Sequence, residues 1–263
     1  MTMVRTPFHL VTLSPWPFYV PIFTLGMAMG AIGWFHTGYW CYGVLTTSFI
    51  FLSLSSYMWW RDVVRESSKM GYHTFVVARG IRVGVLLFIT SEVMFFFAFF
   101  WAFFHGGSEG MVETSEAWPS SGVNSLNAFD VPLLNTVVLL SSGMTLTLSH
   151  MNLMSNKTLS ALFYMFVTVV LGVYFTFLQW GEYMESSFSF SDNMFGSVFY
   201  VATGFHGFHV IIGSIFLAVC FVRIAVLHFN QSHHTGFEAA AWYWHFVDVV
   251  WMFLFMAIYW WGA

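Results

Sequence analysis

The sequence predicts an all-α membrane protein with seven transmembrane helices, and three observations lead to this fold class. Only 8% of the 263 residues are charged, whereas a soluble domain carries about 25%. Seven apolar stretches each reach the length of about 20 residues with which a helix crosses a bilayer. With these spans drawn, all eight lysine and arginine residues fall on one side of the membrane, as the positive-inside rule requires.

Each predicted span is a run of apolar residues that contains at most one charge. Glu92 is the single acid of the third span and Asp248 is that of the seventh, while the other spans contain none. A membrane β-barrel would instead show shorter segments of alternating polarity, so helices are predicted. The spans cover residues 15–35, 40–60, 83–104, 131–151, 158–181, 193–222 and 239–261.

Capping signals precede three of the predicted helices. Asp130 followed by Pro132 is a favourable start for the fourth. Asp192 is placed to cap the sixth. Thr235 and Glu238 have the spacing of a capping box at the start of the seventh.

The distribution of charge predicts the orientation. With the N-terminus inside, the outer connections hold no lysine or arginine and are acidic, and we assign Glu182 and Glu185 to one of them. The net charge of −4 offers no basic surface, so no nucleic-acid partner is expected. The basic residues assigned to the inner side are Arg5, Arg61, Arg65, Lys69, Arg79, Arg82, Lys157 and Arg223.

Glu92 is the first candidate functional residue, because a carboxylate near the centre of a span costs about 2.5–3.5 kcal/mol unless it is protonated or paired. It could handle protons or couple two processes. It could equally be a neutral carboxylic acid that is hydrogen-bonded to a neighbouring helix, which is the interpretation we favour.

Histidines of the last two spans are candidates for metal binding or for helix packing. His245 and Asp248 are three residues apart and share a helix face, so Asp248 could orient a metal ligand, although a polar clamp between helices is favoured. His206 and His209 also share a face. No Glu-x-x-His motif accompanies them, so helix–helix hydrogen bonding is favoured for this pair too.

Basic and aromatic residues gather at the predicted inner boundary, where they could hold anionic lipid headgroups or simply anchor the helices. The group comprises Arg65, Arg82, Arg223, Trp60 and His73. Both interpretations stay open at this point.

No motif in the chain predicts catalysis. The sequence contains no Walker motif, no nucleophile elbow and no HExxH zinc motif. Two other hypotheses remain: a membrane metalloenzyme that uses Glu92, His206, His209 and His245, and a transporter in which Glu92 and Asp248 couple ions to substrate.

Longer motifs resemble the cytochrome c oxidase subunit III family. They occur in the family's order from residue 14 to the C-terminus, so the resemblance covers nearly the whole chain. The motifs are SPWP at 14–17, WWRDVVRE at 59–66, SEVMFF at 91–96, VPLLNT at 131–136 and GFEAAAWYWHFVDVVW at 236–251.

This resemblance implies a fold and a function. The first two helices (residues 1–70) and the last five (71–263) would form a V whose cleft holds phospholipid. The chain would bind neither haem nor copper, and no metal. It would pack directly on subunit I, which holds the redox centres, and would support proton uptake and oxygen reduction. Its location would be the mitochondrial inner membrane, with the N-terminus in the matrix and the C-terminus in the intermembrane space. The other subunits of complex IV, and a respiratory supercomplex, would be further partners.

The resemblance also implies roles for single residues. Glu92 corresponds to the family's buried glutamate, and no residue of this chain would be catalytic. Arg223 occupies a position suited to cardiolipin, and phosphatidylglycerol is a second candidate lipid. The residues matching positions near the lipid headgroups are Trp60, Arg65, Glu66, His73 and Arg82.

Overall fold

The computed structural model of this protein describes residues 6–109, 118 and 123–262, so Arg5 lies outside the described residues. Within these ranges the chain is all-helical, with seven α-helices that are long and apolar enough to cross a membrane. The predicted fold class is therefore confirmed. The helices are α1 (Trp16–Thr37), α2 (Tyr39–Ser68), α3 (Phe75–Glu109), α4 (Val131–Met154), α5 (Thr158–Glu185), α6 (Met194–Ala225) and α7 (Thr235–Leu254).

Several helices extend beyond the apolar runs that predicted them. Helix α2 continues eight residues past the end of its predicted span at Trp60, as expected for a helix that runs out of the membrane, and α5 continues through Glu182 and Glu185. The assignment of these two acids to a loop is therefore wrong. An apolar run ends where the bilayer ends, but the backbone hydrogen bonds of a helix persist wherever the side chains allow them.

The start of α6 differs from the prediction by one residue. Asn193 caps this helix, and its side chain accepts a hydrogen bond from the Gly196 amide at 2.7 Å. Asp192 instead accepts hydrogen bonds from the amide and the hydroxyl of Ser189, at 2.7 and 2.6 Å. These two bonds hold the pKa of the Asp192 carboxyl below its ordinary value.

The predicted capping box of α7 is also wrong. Thr235 is already the first helical residue and His234 precedes it, with no side-chain capping bond. The carboxylate of Glu238 accepts hydrogen bonds from Arg82 instead. A guanidinium offers two charge-assisted hydrogen bonds, which are stronger than one bond from a backbone amide. At α4 the expected arrangement is present, with Pro132 in the first turn.

Two compact units divide the chain: an N-terminal unit, Met1–Ile81, and a C-terminal unit, Arg82–Ala263. In the N-terminal unit, α1 and α2 approach each other at two glycines four residues apart. A Cβ atom at Gly26 would lie 2.6 Å from Ser48 Oγ, and one at Gly30 would lie 2.6 Å from the Leu45 backbone nitrogen. This spacing of small residues is a common contact between membrane helices.

In the C-terminal unit, α4 packs against α5 and α7, and α6 packs against α5 and α7. The fully buried indole of Trp244 lies at the centre of this bundle. Its Nε1 donates a hydrogen bond to Ser142 Oγ at 2.9 Å. Its ring fills the space left by Gly172 and Gly213, where an added Cβ would come within 2.6 and 2.9 Å of it. Helix α7 then continues as a π-helix over Phe255–Trp261.

Candidate functional site

Glu92 and His209 form the central polar pair of the C-terminal unit. Glu92 on α3 and His209 on α6 approach to 2.9 Å between Oε2 and Nε2. The other ring nitrogen, Nδ1, lies 2.6 Å from the Phe205 carbonyl oxygen, so it must carry a hydrogen. In a neutral imidazole Nε2 is then an acceptor, and the carboxylic acid of Glu92 donates to it. The pair thus shares one proton, either on the acid or on the ring.

Aromatic rings surround the imidazole of this pair. The rings of Phe96 and Phe246 contact the His209 imidazole edge-on, and the ring of Tyr243 stacks on it with centroids 6.2 Å apart. A charge is costly in such surroundings unless it is paired. This arrangement favours the interpretation of Glu92 as a hydrogen-bonded group between helices.

His206 is fully buried one turn from His209 and bonds to a different helix. Its Nε2 lies 3.2 Å from the Val247 carbonyl oxygen on α7. Its ring packs against Trp251 and Phe175, with centroids 5.2 and 5.6 Å away. Within the described residues no group of three metal-ligating side chains includes either histidine, which gives the metalloenzyme hypothesis no support here.

His245 and Asp248 lie close together on α7, but they do not form a tight pair. The nearest nitrogen and oxygen are 3.6 Å apart, which exceeds a hydrogen bond. Asp248 is buried against α4, where its Oδ2 would be only 2.6 Å from a Cβ atom at Gly143. His245 is half exposed. Asp248 is therefore positioned by its contact with Gly143 of α4 rather than by His245. The sequence pattern did not reveal this contact.

A second polar network joins the N-terminal ends of α3 and α7 to the C-terminal end of α4. Arg82 donates from Nε and from one terminal nitrogen to Glu238, at 2.6 and 3.1 Å. The same carboxylate lies 3.5 Å from His234 Nε2, and His150 on α4 lies 3.1 Å from that nitrogen. Arg82, predicted to face a lipid headgroup, thus has an acidic partner within its own unit.

Arg223 stands near the C-terminal end of α6 and is partly buried. Its guanidinium lies over the Phe229 ring, 4.2 Å from the centroid, an arrangement that is favourable for a cation. Its Nε is buried and has no hydrogen-bond partner. Gly236 lies beside it, and a Cβ atom there would lie 2.5 Å from one guanidinium nitrogen, so the guanidinium would have to shift.

The remaining predicted lipid residues lie at the C-terminal end of α2 and just after it. The indole of Trp60 is 67% exposed, and the Arg65 side chain is half exposed, 3.9 Å from Asp62. Glu66 and His73 lie close to each other and to His9, a residue that the sequence analysis did not single out.

One buried acid was missed because it lies at the edge of an apolar run. Glu182 is only 4% exposed and accepts hydrogen bonds from the Tyr259 hydroxyl at 2.5 Å and from Gln179 at 3.0 Å. These residues join α5 to the π-helical end of the chain. The spacing of Gln179 and Glu182, three residues apart on one helix face, was the only available signal.

Comparison with known proteins identifies the family to which this chain belongs. Residues 6–263 match the family described as cytochrome c oxidase subunit III. The chain belongs to the cytochrome c oxidase subunit III family. Comparisons with individual relatives give the same family. The chain is 55% identical to cytochrome c oxidase subunit 3 of Lumbricus terrestris, across 99% of this chain and 100% of the relative. It is 52% identical to cytochrome c oxidase subunit 3 of Hippopotamus amphibius, across 100% of both chains.

Within this family, the matched region contains every polar group described above. A similar relative, cytochrome c oxidase subunit 3 of Paracentrotus lividus, is 54% identical over 98% of both chains. The resemblance noted from the sequence motifs is therefore confirmed over almost the full length.

Proposed function

We propose that this chain is a supporting, non-redox subunit of a respiratory cytochrome c oxidase in the mitochondrial inner membrane. The observation that carries the proposal is the match to the subunit III family across residues 6–263. The oxidase transfers electrons from cytochrome c to O2 and pumps protons. In this complex, also called complex IV, the chain packs on subunit I and on other subunits, and the whole complex takes part in larger respiratory assemblies.

The orientation follows from charge. When the seven spans are drawn on the sequence, all eight lysine and arginine residues fall in segments assigned to one side, and the inner side of a membrane protein carries such an excess. The N-terminus accordingly faces the matrix and the C-terminus faces the intermembrane space.

The chain supports the redox subunits and holds neither haem nor copper. In support, the two histidines within α6 are engaged elsewhere, His206 with the Val247 carbonyl and His209 with Glu92. Exposed apolar side chains along the spans leave ample surface for subunit I. Through this contact the chain stabilises subunit I and sustains proton uptake over many turnovers.

The chain also binds phospholipid, including phosphatidylglycerol or cardiolipin. Arg223 supports this role because its Nε lacks a protein partner, and a phosphate oxygen would satisfy it. Trp60 and Arg65 are exposed near the end of a span, where indole and guanidinium groups favour lipid headgroups. Glu66, His73 and Arg82 are the further residues that we assign to lipid binding.

The functional proposal is tested by removing the chain from the purified oxidase and adding it back. We expect the first turnovers to proceed at a near-normal rate without the chain, and sustained O2 consumption with proton uptake to decline. Re-addition should restore both. Unchanged sustained turnover without the chain would contradict the supporting role.

The lipid proposal is tested with Arg65→Ala and Arg223→Ala, which should lower the anionic phospholipid that co-purifies with the complex, measured by mass spectrometry. Arg79→Ala is the matched control, since it removes an exposed positive charge from the start of α3. Equal lipid content in all three variants would contradict specific binding.

A further inference from the structure

Gln179, Glu182 and Tyr259 form a buried polar site where α5 meets the π-helical end of the chain. The Tyr259 hydroxyl donates a hydrogen bond to Glu182 Oε1 at 2.5 Å, and Gln179 Nε2 donates to the same oxygen at 3.0 Å. Gln179 Nε2 also lies 3.3 Å from the Tyr259 hydroxyl oxygen, across 80 residues of sequence. The three side chains therefore belong to one network that closes this end of the bundle.

The surroundings of this site favour a neutral carboxylic acid at Glu182. Gln179 is 5% exposed, Glu182 is 4% exposed and Tyr259 is 2% exposed. The Tyr259 ring packs against Phe199 and Trp251, with centroids 5.5 and 5.7 Å away. Within the residues that the structure describes, no basic side chain forms an ion pair with Glu182. An unpaired charge is costly in such a place, so the carboxyl group retains its proton.

The hydrogen bonds decide which oxygen carries that proton. Glu182 Oε1 already accepts from the Tyr259 hydroxyl and from Gln179 Nε2, so the proton belongs on Oε2. This second oxygen is buried and has no hydrogen-bond partner among the described residues, and the same is true of Gln179 Oε1. Buried polar atoms are nearly always hydrogen-bonded. A water molecule satisfies both atoms, because it accepts from the Glu182 hydroxyl and donates to the Gln179 carbonyl oxygen.

We propose that Glu182 binds a proton on Oε2 and that Glu182 and Gln179 together bind one buried water molecule. A buried water makes about three hydrogen bonds, and Asn135 is available at the same end of the bundle. Asn135 lies near the start of α4, which packs on α5 after a short turn and so runs antiparallel to it. It is 0% exposed, and both polar atoms of its side chain lack a partner within the described ranges.

The proton and the water complete the contact between α5 and the last residues of the chain. The proton allows the Glu182 carboxyl to stay buried, and the water satisfies the atoms that Tyr259 does not reach. The π-helix Phe255–Trp261, which carries Tyr259, is a kind of turn that frequently occurs at functional sites. Glu185, three residues after Glu182, is exposed, so the site lies within one helical turn of the surface. It does not depend on the proposed role in the oxidase, because it uses only residues of the C-terminal unit.

The proton is tested by infrared spectroscopy of the purified complex that contains the full-length chain. Subtracting the spectrum of the Glu182→Gln variant should reveal the loss of one carboxylic acid C=O band per chain at neutral pH, and this band should shift in D2O. Glu185→Gln is the matched control, since it removes an exposed acid of the same helix and should remove carboxylate bands instead. Loss of carboxylate bands in Glu182→Gln would overturn the proposal.

A second variant keeps this test decisive if Glu182→Gln does not assemble. Tyr259→Phe retains the packed ring and removes only the hydroxyl that donates to Glu182 Oε1. A carboxylic C=O group that loses a hydrogen bond absorbs at higher frequency, so the Glu182 band should move upward in this variant. A carboxylic acid spectrum that Tyr259→Phe leaves unchanged would contradict the assignment.

The water is tested by a density map of the complex at a resolution that shows ordered solvent. We expect one water molecule at about 2.5–3.0 Å from both Glu182 Oε2 and Gln179 Oε1, and its loss in Gln179→Leu. A direct protein hydrogen bond to Glu182 Oε2 in place of the water, or a cation bound between the two oxygens, would overturn the proposal. Neither result would affect the assignment to the oxidase.

Discussion

The N-terminal and C-terminal units hold their helices together by different means. In the most apolar stretch of α1 and of α2 only 6% of residues are buried, whereas in α7 the share is 61%. Helices α1 and α2 meet through glycines that bring backbones together. Helices α4 to α7 meet through large aromatic side chains whose polar atoms are hydrogen-bonded, such as Trp251 Nε1 to Thr136 Oγ1 at 3.0 Å.

The difference shows two solutions to one physical problem. Inside a membrane, lipid tails are as apolar as leucine, so helices gain little from hydrophobic burial and associate through close packing and hydrogen bonds. The two-helix contact depends on the absence of side chains at Gly26 and Gly30. The bundle depends on the exact fit of side chains such as Trp244, so substitutions should affect the two units differently.

The largest effect is expected from Trp244→Ala in the bundle. Removing this buried ring opens a cavity beside Gly172 and Gly213 and leaves Ser142 without its donor, which should cost about 3–5 kcal/mol. Unfolding of the chain by detergent in mixed micelles measures the loss. Trp180→Ala is the control, since that indole is 63% exposed. Equal losses in both variants would mean that burial does not govern stability here.

The next largest effect is expected from Gly30→Ala in the two-helix contact. The added methyl group would meet the Leu45 backbone within 2.8 Å, and overpacking of this kind costs about 1–3 kcal/mol. Gly43→Ala is the matched control, because nothing lies within 4 Å of a Cβ atom there. Proteolysis of the region joining α1 and α2 should increase only in Gly30→Ala. The same susceptibility in both variants would rule out the glycine contact.

Substitutions at Glu92 separate a packing role from a proton-transfer role. Glu92→Ala leaves His209 Nε2 without its partner, so it should destabilise the chain by about 1–3 kcal/mol. Glu92→Gln retains a donor to that nitrogen, and it should preserve assembly and the initial rate of O2 reduction. An immediate loss of turnover in the Gln variant, with normal assembly, would show that the carboxyl group itself transfers protons.

The smallest effect is expected in the loop before α6, whose stability should depend on pH. The pKa of Asp192 is below its ordinary value because Ser189 donates two hydrogen bonds to the carboxylate. The group therefore stabilises this loop above the ordinary carboxyl pKa of about 3.9, and the contribution is lost as pH falls through the lowered value. Protection of the Ser189 amide against hydrogen exchange should follow this change, and Asp192→Asn should abolish the pH dependence. Identical profiles in both proteins would contradict the assignment.

The fold class was predictable because the membrane imposes one requirement on every span. Each span needs a long run of apolar residues, and such a run is visible in the sequence without knowledge of the rest of the fold. Seven runs therefore predicted seven helices. Helix ends were less predictable, since they depend on local competition for hydrogen bonds. At α6 either Asp192 or Asn193 could act as the cap, and the contacts of Ser189 decide the outcome.

The partners of the site residues could not be predicted, because they lie far apart in the sequence. Glu92 and His209 are 117 residues apart, and Arg82 and Glu238 are 156 apart. No periodicity within one helix encodes which face of another helix it meets. The proximity of His9 to Glu66 and His73 was not predicted for the same reason, since the fold brings these residues together from separate parts of the chain.

The central claim, that the chain is a supporting subunit of an oxidase, is tested most directly by what co-purifies with it. The chain would be tagged in its native membrane and solubilised gently, and the optical spectrum, metal content and cytochrome c-driven O2 consumption would be measured. The account predicts haem, copper and activity in the isolated complex, with the haem and the copper retained by the partner subunits after this chain is removed. Haem or copper that stays with the separated chain, or the absence of any oxidase partner, would contradict it.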